Sequence, residues 1–201
     1  MRSSDQNAAL RVATREAVES AAVRVFARQG FAAASIRHIA DEAGLSTGSI
    51  YRHFASKEAL FDALLERASS GLVEASAVLS GDADPLVLVR EFTRVFLIDL
   101  QNGHGEAEFF MVINQGFITD TPAGAAERLA RTQRPLWDTF EALVCRGQEA
   151  GQFEKGDPAQ LTAYYFAMLS GIASMRTFLP AATADVGIDL VLRLLIRKDH
   201  P

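Results

Sequence analysis

The chain has 201 residues, of which 49% are hydrophobic and 22% charged, with 6 prolines and 14 glycines. That composition belongs to a globular chain with a sizeable core and excludes a disordered one. Its net charge of −5 argues against a protein that coats nucleic acid indiscriminately, and its single cysteine excludes an internal disulfide framework. No apolar run reaches the ~18–20 residues that span a bilayer, and the polar start lacks the apolar core of a signal peptide. A cytoplasmic, nearly all-α protein is the expectation.

Residues 1–13 are polar and read as a flexible tail in which Arg2 and Arg11 are solvated. Thr14 is the expected cap of a helix running to Gln29, with Val18, Ala22, Val25 and Phe26 along one side. Gly30 stops it and Phe31 packs back. Ile36 to Ala43 follows, capped by Ser35, with Ile36, Ile39, Ala40 and Ala43 at helical spacing. Gly44 ends that piece, Leu45 fills the corner, and Ser46 caps a helix over Thr47 to Phe54 that buries Ile50 and Phe54. Two short helices, a glycine turn and a polar second helix make a helix-turn-helix pattern. Ser56 then caps a long helix to about Leu79, with Glu58 in its first turn.

Further helices are expected from Asp84-Pro85 to Gln101, from Glu106 to Phe117, from Ala123 to Gly151, from Ala159 to Leu179 and from Ala184 to Arg197. The Glu106–Phe117 segment is apolar on several faces, which marks a buried helix. Charge divides along the chain. Residues 1–67 carry nine Lys and Arg against eight Asp and Glu, a net +1, so the remainder carries −6. The first third is the part fit to meet phosphates.

The run V-F-A-R-Q-G-F-A-A-A-S-I-R-H-I-A-D-E-A-G-L-S-T-G-S-I-Y-R-H-F-A-S-K-E-A-L-F resembles the DNA-binding domain of the tetracycline-repressor (TetR) family of transcriptional regulators. The likeness covers about residues 14–65. It implies an all-α chain with three parts: a tail at 1–13, a three-helix DNA-reading domain at 14–58, and a larger helical ligand-binding and dimerisation domain at 59–201. Carried over position by position, it implies recognition-helix contacts at Thr47, Gly48, Ser49, Tyr51, Arg52 and His53, and a base or phosphate contact at Arg37. Ser35, Tyr51, His53 and Lys57 match phosphate-gripping positions. The chemistry agrees: free N–H groups at helix N-termini favour phosphate near Ser35 and Lys57, and a guanidinium at Arg37 or Arg52 can pair with guanine O6 and N7 together. Tyr51 also reads as packing, while His38, Arg24 and Arg28 read as solvated helix surface.

The four histidines and Cys145 show no metal-ligand spacing, no glycine loop of phosphate-cradling type occurs, and the acidic pairs lack partners for acid–base work. Neither an enzyme nor a cofactor is expected. The aromatic and methionine content of the second domain offers Phe92, Phe96, Phe109, Phe110, Ile113, Asn114, Phe117, Trp137, Phe140, Tyr165 and Met168 as lining of a ligand pocket, though each also reads as ordinary core. Leu161, Tyr164, Met168, Ile172 and Met175, then Ile188, Val191, Leu192 and Leu195, form stripes at 3–4 spacing. By the resemblance they build a four-helix bundle across a homodimer; alone they also read as intramolecular core. The expectation is a homodimeric regulator, a repressor, that binds a pseudo-palindromic operator in double-stranded DNA and is released by a small hydrophobic ligand. The alternative is a DNA-binding regulator controlled by a partner protein, or by nothing, without a pocket.

Overall fold

A computed structural model describes residues 2–102, 112–114, 116, 119–120, 122–178 and 187–197. The named helices are α1 (Arg2–Ala33), α2 (Ile36–Ala43), α3 (Thr47–Tyr51), α4 (Lys57–Leu79), α5 (Pro85–Asn102), α6 (Ala125–Glu149), α7 (Pro158–Phe178) and α8 (Ile188–Leu192). The only extended pairing among the described residues is one antiparallel bridge, Phe153 to Ile196. The chain is all-α, and no helix among the described residues is long and apolar enough to cross a membrane.

α1 starts at Arg2, well before the expected cap at Thr14. Neither Gly nor Pro lies between Arg2 and Gln29, so nothing interrupts the helix. Thr14 turns its hydroxyl inward and donates to the Leu10 carbonyl at 2.7 Å, the habit of a threonine inside a helix. Gly30 breaks α1 with φ 75° and ψ 161°, a backbone that glycine adopts without penalty. Gly44, at φ 65°, ends α2 and lets the Leu45 N–H reach the Ala40 carbonyl at 2.9 Å.

Two apolar cores result. The first joins α1, α2, α3 and the start of α4 through Phe26, Ile39, Ile50, Phe61 and Leu64, and extends to Val112, Ile113, Ala125 and Leu129. Phe26, Phe31 and Phe61 meet with centroids 5.1–5.7 Å apart. The second joins the end of α4 to α5, α6, α7 and α8 around Phe140, Phe153, Tyr165 and Leu192. α4 therefore belongs to both: Leu60 to Leu65 sit in the first core and Leu79 in the second.

α8 is much shorter than the expected Ala184–Arg197 helix. Of that span, 184–186 lie outside the described residues. The chain after Leu192 turns and pairs with the segment that follows α6. Glu154 N–H donates to Leu195 O at 2.8 Å and Arg197 N–H to Gln152 O at 3.0 Å. The Leu195 and Ile196 N–H groups both turn back to the Leu192 carbonyl, which ends the helix, and the Leu195 carbonyl and Arg197 N–H are used across the chain instead.

Candidate DNA interface and ligand cavity

The helix-turn-helix is fixed by its caps. Ser35 accepts from the His38 N–H at 3.2 Å and Ser46 from the Ser49 N–H at 3.1 Å. α3 ends at Tyr51, short of the expected Phe54, because the His53 and Phe54 N–H groups both turn back to the Ile50 carbonyl. That turn drives the Phe54 ring into the core, where it is buried, and frees Ser56 to cap α4.

Arg37 of α2 and Thr47, Gly48, Tyr51 and Arg52 of the α3 segment stand exposed. Ser35, Ser49 and His53 are half-buried. The Arg52 guanidinium rests on Ser49 Oγ at 2.9 Å, and Ser49 Oγ meets Ser46 Oγ at 3.0 Å, so these polar groups form a preorganised chain. A Cβ added at Gly48 would meet only Ser46 Oγ, at 3.9 Å. The fold itself therefore makes no demand for glycine there.

Three side chains behave differently from their expected roles. Lys57 matches a phosphate-gripping position in sequence, but its Nζ points inward. It donates to the carbonyls of Phe31 at 2.7 Å and Ala34 at 2.8 Å and lies 4.3 Å from the Phe31 ring centroid. The α1–α2 junction leaves carbonyls without helical partners, and the ammonium supplies them. Arg24 and Arg28, expected as solvated surface, both clasp Glu42 of α2, Arg24 at 2.7 Å. Those two guanidinium hydrogen bonds, Arg24's the larger effect, hold the Glu42 carboxyl below its ordinary pKa. The pairs lock α1 to α2 and remove two positive charges from the face. Among the described residues Arg37 makes no hydrogen bond or ion pair and is left free to approach an anion.

A cavity of about 410 Å³ lies between α4, α5, α6 and α7. Of the expected lining residues, Phe96, Ile113, Asn114 and Trp137 border it. Phe109, Phe110 and Phe117 lie outside the described residues. Phe92, Phe140, Tyr165 and Met168 do not border it. Phe140 stacks on Tyr165 at 4.5 Å and contacts Phe92 at 6.3 Å, so these rings fill the core behind the cavity. Met168 packs against the same core. Thr93 Oγ1 donates to the Val89 carbonyl at 2.6 Å, which leaves it to accept from Tyr165 Oη at 2.7 Å. Burial pushes the Tyr165 phenol pKa far up, with the Thr93 bond only partly opposing it. Tyr165 is thus a satisfied core residue.

Sequence reasoning passed over Arg67, Gly71, Leu72 and Ala75 of α4, Asp99 of α5, and Leu129, Thr132 and Gln133 of α6, all of which border the cavity. One signal was available. Arg67, Gly71 and Ala75 recur at four-residue spacing, so two small residues share one α4 face. A Cβ at Gly71 would meet nothing within 4 Å. Space at this site is marked by missing side chains as much as by aromatic ones.

The expected dimer stripes also divide. Val191, Leu192 and Leu195 are buried in the second core of a single subunit, because the turn after α8 folds them onto α5 and α7. Leu161, Met168, Ile172 and Ile188 are half-buried against it. Tyr164 and Met175, at 59% and 53% exposure, remain open on α7, together with Leu190 and Leu194 near α8. Ala167 and Gly171 lie exposed between Tyr164 and Met175.

Residues 20–64 match the family model described as bacterial regulatory proteins, tetR family. No curated protein sequence matches the chain. Among solved structures, it is similar to PfmR of Thermus thermophilus, a TetR family transcriptional regulator, with 26% identity over 88% of this chain and 97% of that one, at a TM-score of 0.68. It resembles the MbdR regulator of Azoarcus sp. CIB at 21% identity over 90% and 94%, with a TM-score of 0.73. A complex of SmeT with triclosan matches at 22% identity over 93% of each chain, with a TM-score of 0.69; SmeT is described as the repressor of a Stenotrophomonas maltophilia multidrug efflux pump. Residues 20–64 thus carry a helix-turn-helix of the tetR regulatory-protein type, on an all-helical fold shared with the regulators it resembles.

Proposed function

We propose that the chain is a transcriptional repressor that binds a pseudo-palindromic operator in double-stranded DNA as a homodimer and is released by a small, largely hydrophobic ligand. In this reading residues 14–58 read DNA, and residues 59–201 hold the ligand and pair the subunits. Thr47, Gly48, Tyr51 and Arg52 approach the major groove, with Arg37 beside them. Ser35, Ser49 and His53, being half-buried, position the backbone and accept or donate at the edge of the contact. Two copies meet through the exposed α7 line from Tyr164 to Met175, where Ala167 and Gly171 allow close helix approach.

The observation that carries release by a ligand is a shared wall. Ile113 and Leu129 belong to the first core, which holds the helix-turn-helix, and they also border the cavity. Arg67 borders the cavity too, and its guanidinium faces Glu19 of α1 at 3.8 Å. Whatever fills the cavity presses on residues that position the reading helices. A ligand acts only by binding one arrangement of those helices better than the other. The SmeT structure, similar in fold, is a complex with triclosan, which supports a small-molecule ligand for this chain.

The test is selection of fragments bound by the full chain from random double-stranded DNA. The expected product is a pair of two-fold-related half-sites whose centres lie about one or two helical turns of ~10–10.5 base pairs apart. Absence of any enriched sequence, or enrichment of a single unpaired half-site, would overturn the reading.

A further inference from the structure

The described lining of the cavity includes two ionisable side chains, Arg67 of α4 and Asp99 of α5, and they are not equivalent. The Arg67 guanidinium already lies 3.8 Å from the Glu19 carboxylate, whose other oxygen is held by Arg15 at 2.9 Å. Asp99 makes no hydrogen bond and no ion pair with any described residue. It follows Phe96 by three positions and Val95 by four, so these three share one face of α5, and all three border the cavity. Elsewhere in the lining Trp137 and Phe166 stack with centroids 5.2 Å apart at 23°. Aromatic faces carry negative potential and attract cations.

A carboxylate without a partner and a set of aromatic faces ask for the same charge. An anionic ligand would meet the Asp99 charge and would find the cavity's one described cation engaged by Glu19. A neutral ligand would cover the cavity side of Asp99 and offer it no counter-charge. The remaining polar lining residues, Asn114, Thr132, Gln133 and Ser170, offer both donors and acceptors and so set no sign.

We propose that the cavity takes a flat aromatic monocation, of the class of quaternised nitrogen heteroaromatics, with Asp99 as its counter-charge. This rests on the reading of the cavity as a ligand site. It is tested with three probes of nearly one shape: 10-methylacridinium, acridine, and anthracene-9-carboxylate. Each is titrated by fluorescence into the full chain without DNA at about pH 8, where acridine is neutral. The cation should bind about tenfold more tightly than acridine, and the carboxylate most weakly. Asp99→Asn should erase the preference for the cation while leaving acridine within about twofold. Asp99→Lys should reverse the order in favour of the carboxylate. Asp99 is exposed, so both variants should keep the wild-type helical circular dichroism. Acridine or the carboxylate binding as tightly as the cation would overturn the proposal, as would a cation preference that survives in Asp99→Asn. If none of the three probes binds, the ligand reading of the cavity falls with it. If all bind without charge order, the cavity stands and only the assignment of Asp99 fails.

Discussion

Replacing Lys57 with alanine separates a brace from a phosphate grip. In the structure the Lys57 ammonium satisfies the Phe31 and Ala34 carbonyls at 2.7 and 2.8 Å and sits 4.3 Å from the Phe31 ring centroid. A hydrogen bond from a charged donor is worth about 1.5–3 kcal/mol, and an exposed cation–π contact about 0.5–1 kcal/mol. Lys57 is half-buried, so water replaces part of what is lost and the lower values apply. Two such bonds and the ring contact at their lower values make Lys57→Ala destabilise the fold by about 3–4 kcal/mol, seen as a lower urea midpoint at unchanged slope. The matching measurement is operator affinity across a salt series. A lysine that neutralises a phosphate contributes about 0.9 to the slope of log affinity against log salt, once per subunit. With Nζ turned to the α1–α2 junction, the slope should stay unchanged even where affinity falls. A variant of unaltered stability whose salt slope drops by about one per subunit would refute this and restore Lys57 to the DNA backbone.

Gly48→Ala should fold as well as the parent or gain up to about 1 kcal/mol from helix propensity, because the new Cβ meets only Ser46 Oγ at 3.9 Å. It should nonetheless weaken operator binding at least tenfold in a gel-shift titration, and undiminished binding would remove Gly48 from the interface. Gly147→Ala should cost about 1–3 kcal/mol in thermal or urea unfolding, since a Cβ there overlaps the buried Phe153 ring, with Phe153 Cγ only 2.6 Å away; a neutral result would mean that the loop after α6 yields freely. Met175→Asp should yield a monomer in light scattering at micromolar concentration with helical content intact, because the Met175 side chain is exposed in the single subunit. A surviving dimer would rule out pairing through that part of α7. Met175 is a cleaner probe than Ile172, which also supports the core.

The helix-turn-helix was legible because each of its boundaries is a local event. Ser35, Gly44, Ser46 and Ser56 act through their own backbone or through a donor three residues away, and all four do what their residue types suggest. The start of α1 was misread by the same local logic. Threonine is an N-cap in one setting and a back-bonded helix residue in another, and only the Leu10 carbonyl shows which Thr14 is. Lys57, Arg24 and Arg28 make contacts that were not legible, for a different reason. A cation on a helix looks identical in sequence whether it meets a phosphate, a carbonyl or Glu42 many residues away. The cavity was half legible. Aromatic residues were expected to line it, yet Phe140 and Tyr165 stack on each other and close their own space. Emptiness depends on which helix faces oppose one another, and Gly71 and Ala75 contribute to it by what they lack.

These corrections bear on how a cavity between α4 and α7 can govern a helix-turn-helix. Lys57, pinned to the end of α1, fixes the first turn of α4 to the reading domain. Gly71, fourteen positions along, lies at the cavity, which at 1.5 Å per residue is a lever of about 21 Å. Between them Asp62 of α4 is tied to Arg128 of α6 at 3.2 Å, next to Leu129, which borders the cavity and packs in the first core. Gly116 sits so close to Leu129 that a Cβ there would lie 2.7 Å from its Cδ1, so that side of Leu129 is tightly packed. A displacement of Leu129 toward Gly116 presses on this packing. In a close-packed interior it passes to Phe61, and from there to Phe26 and Phe31 of α1, the residues on which α2 and α3 are built. On this reasoning the lever and the wall move together, and a ligand that failed to touch Leu129 or α4 would fill the cavity without releasing DNA.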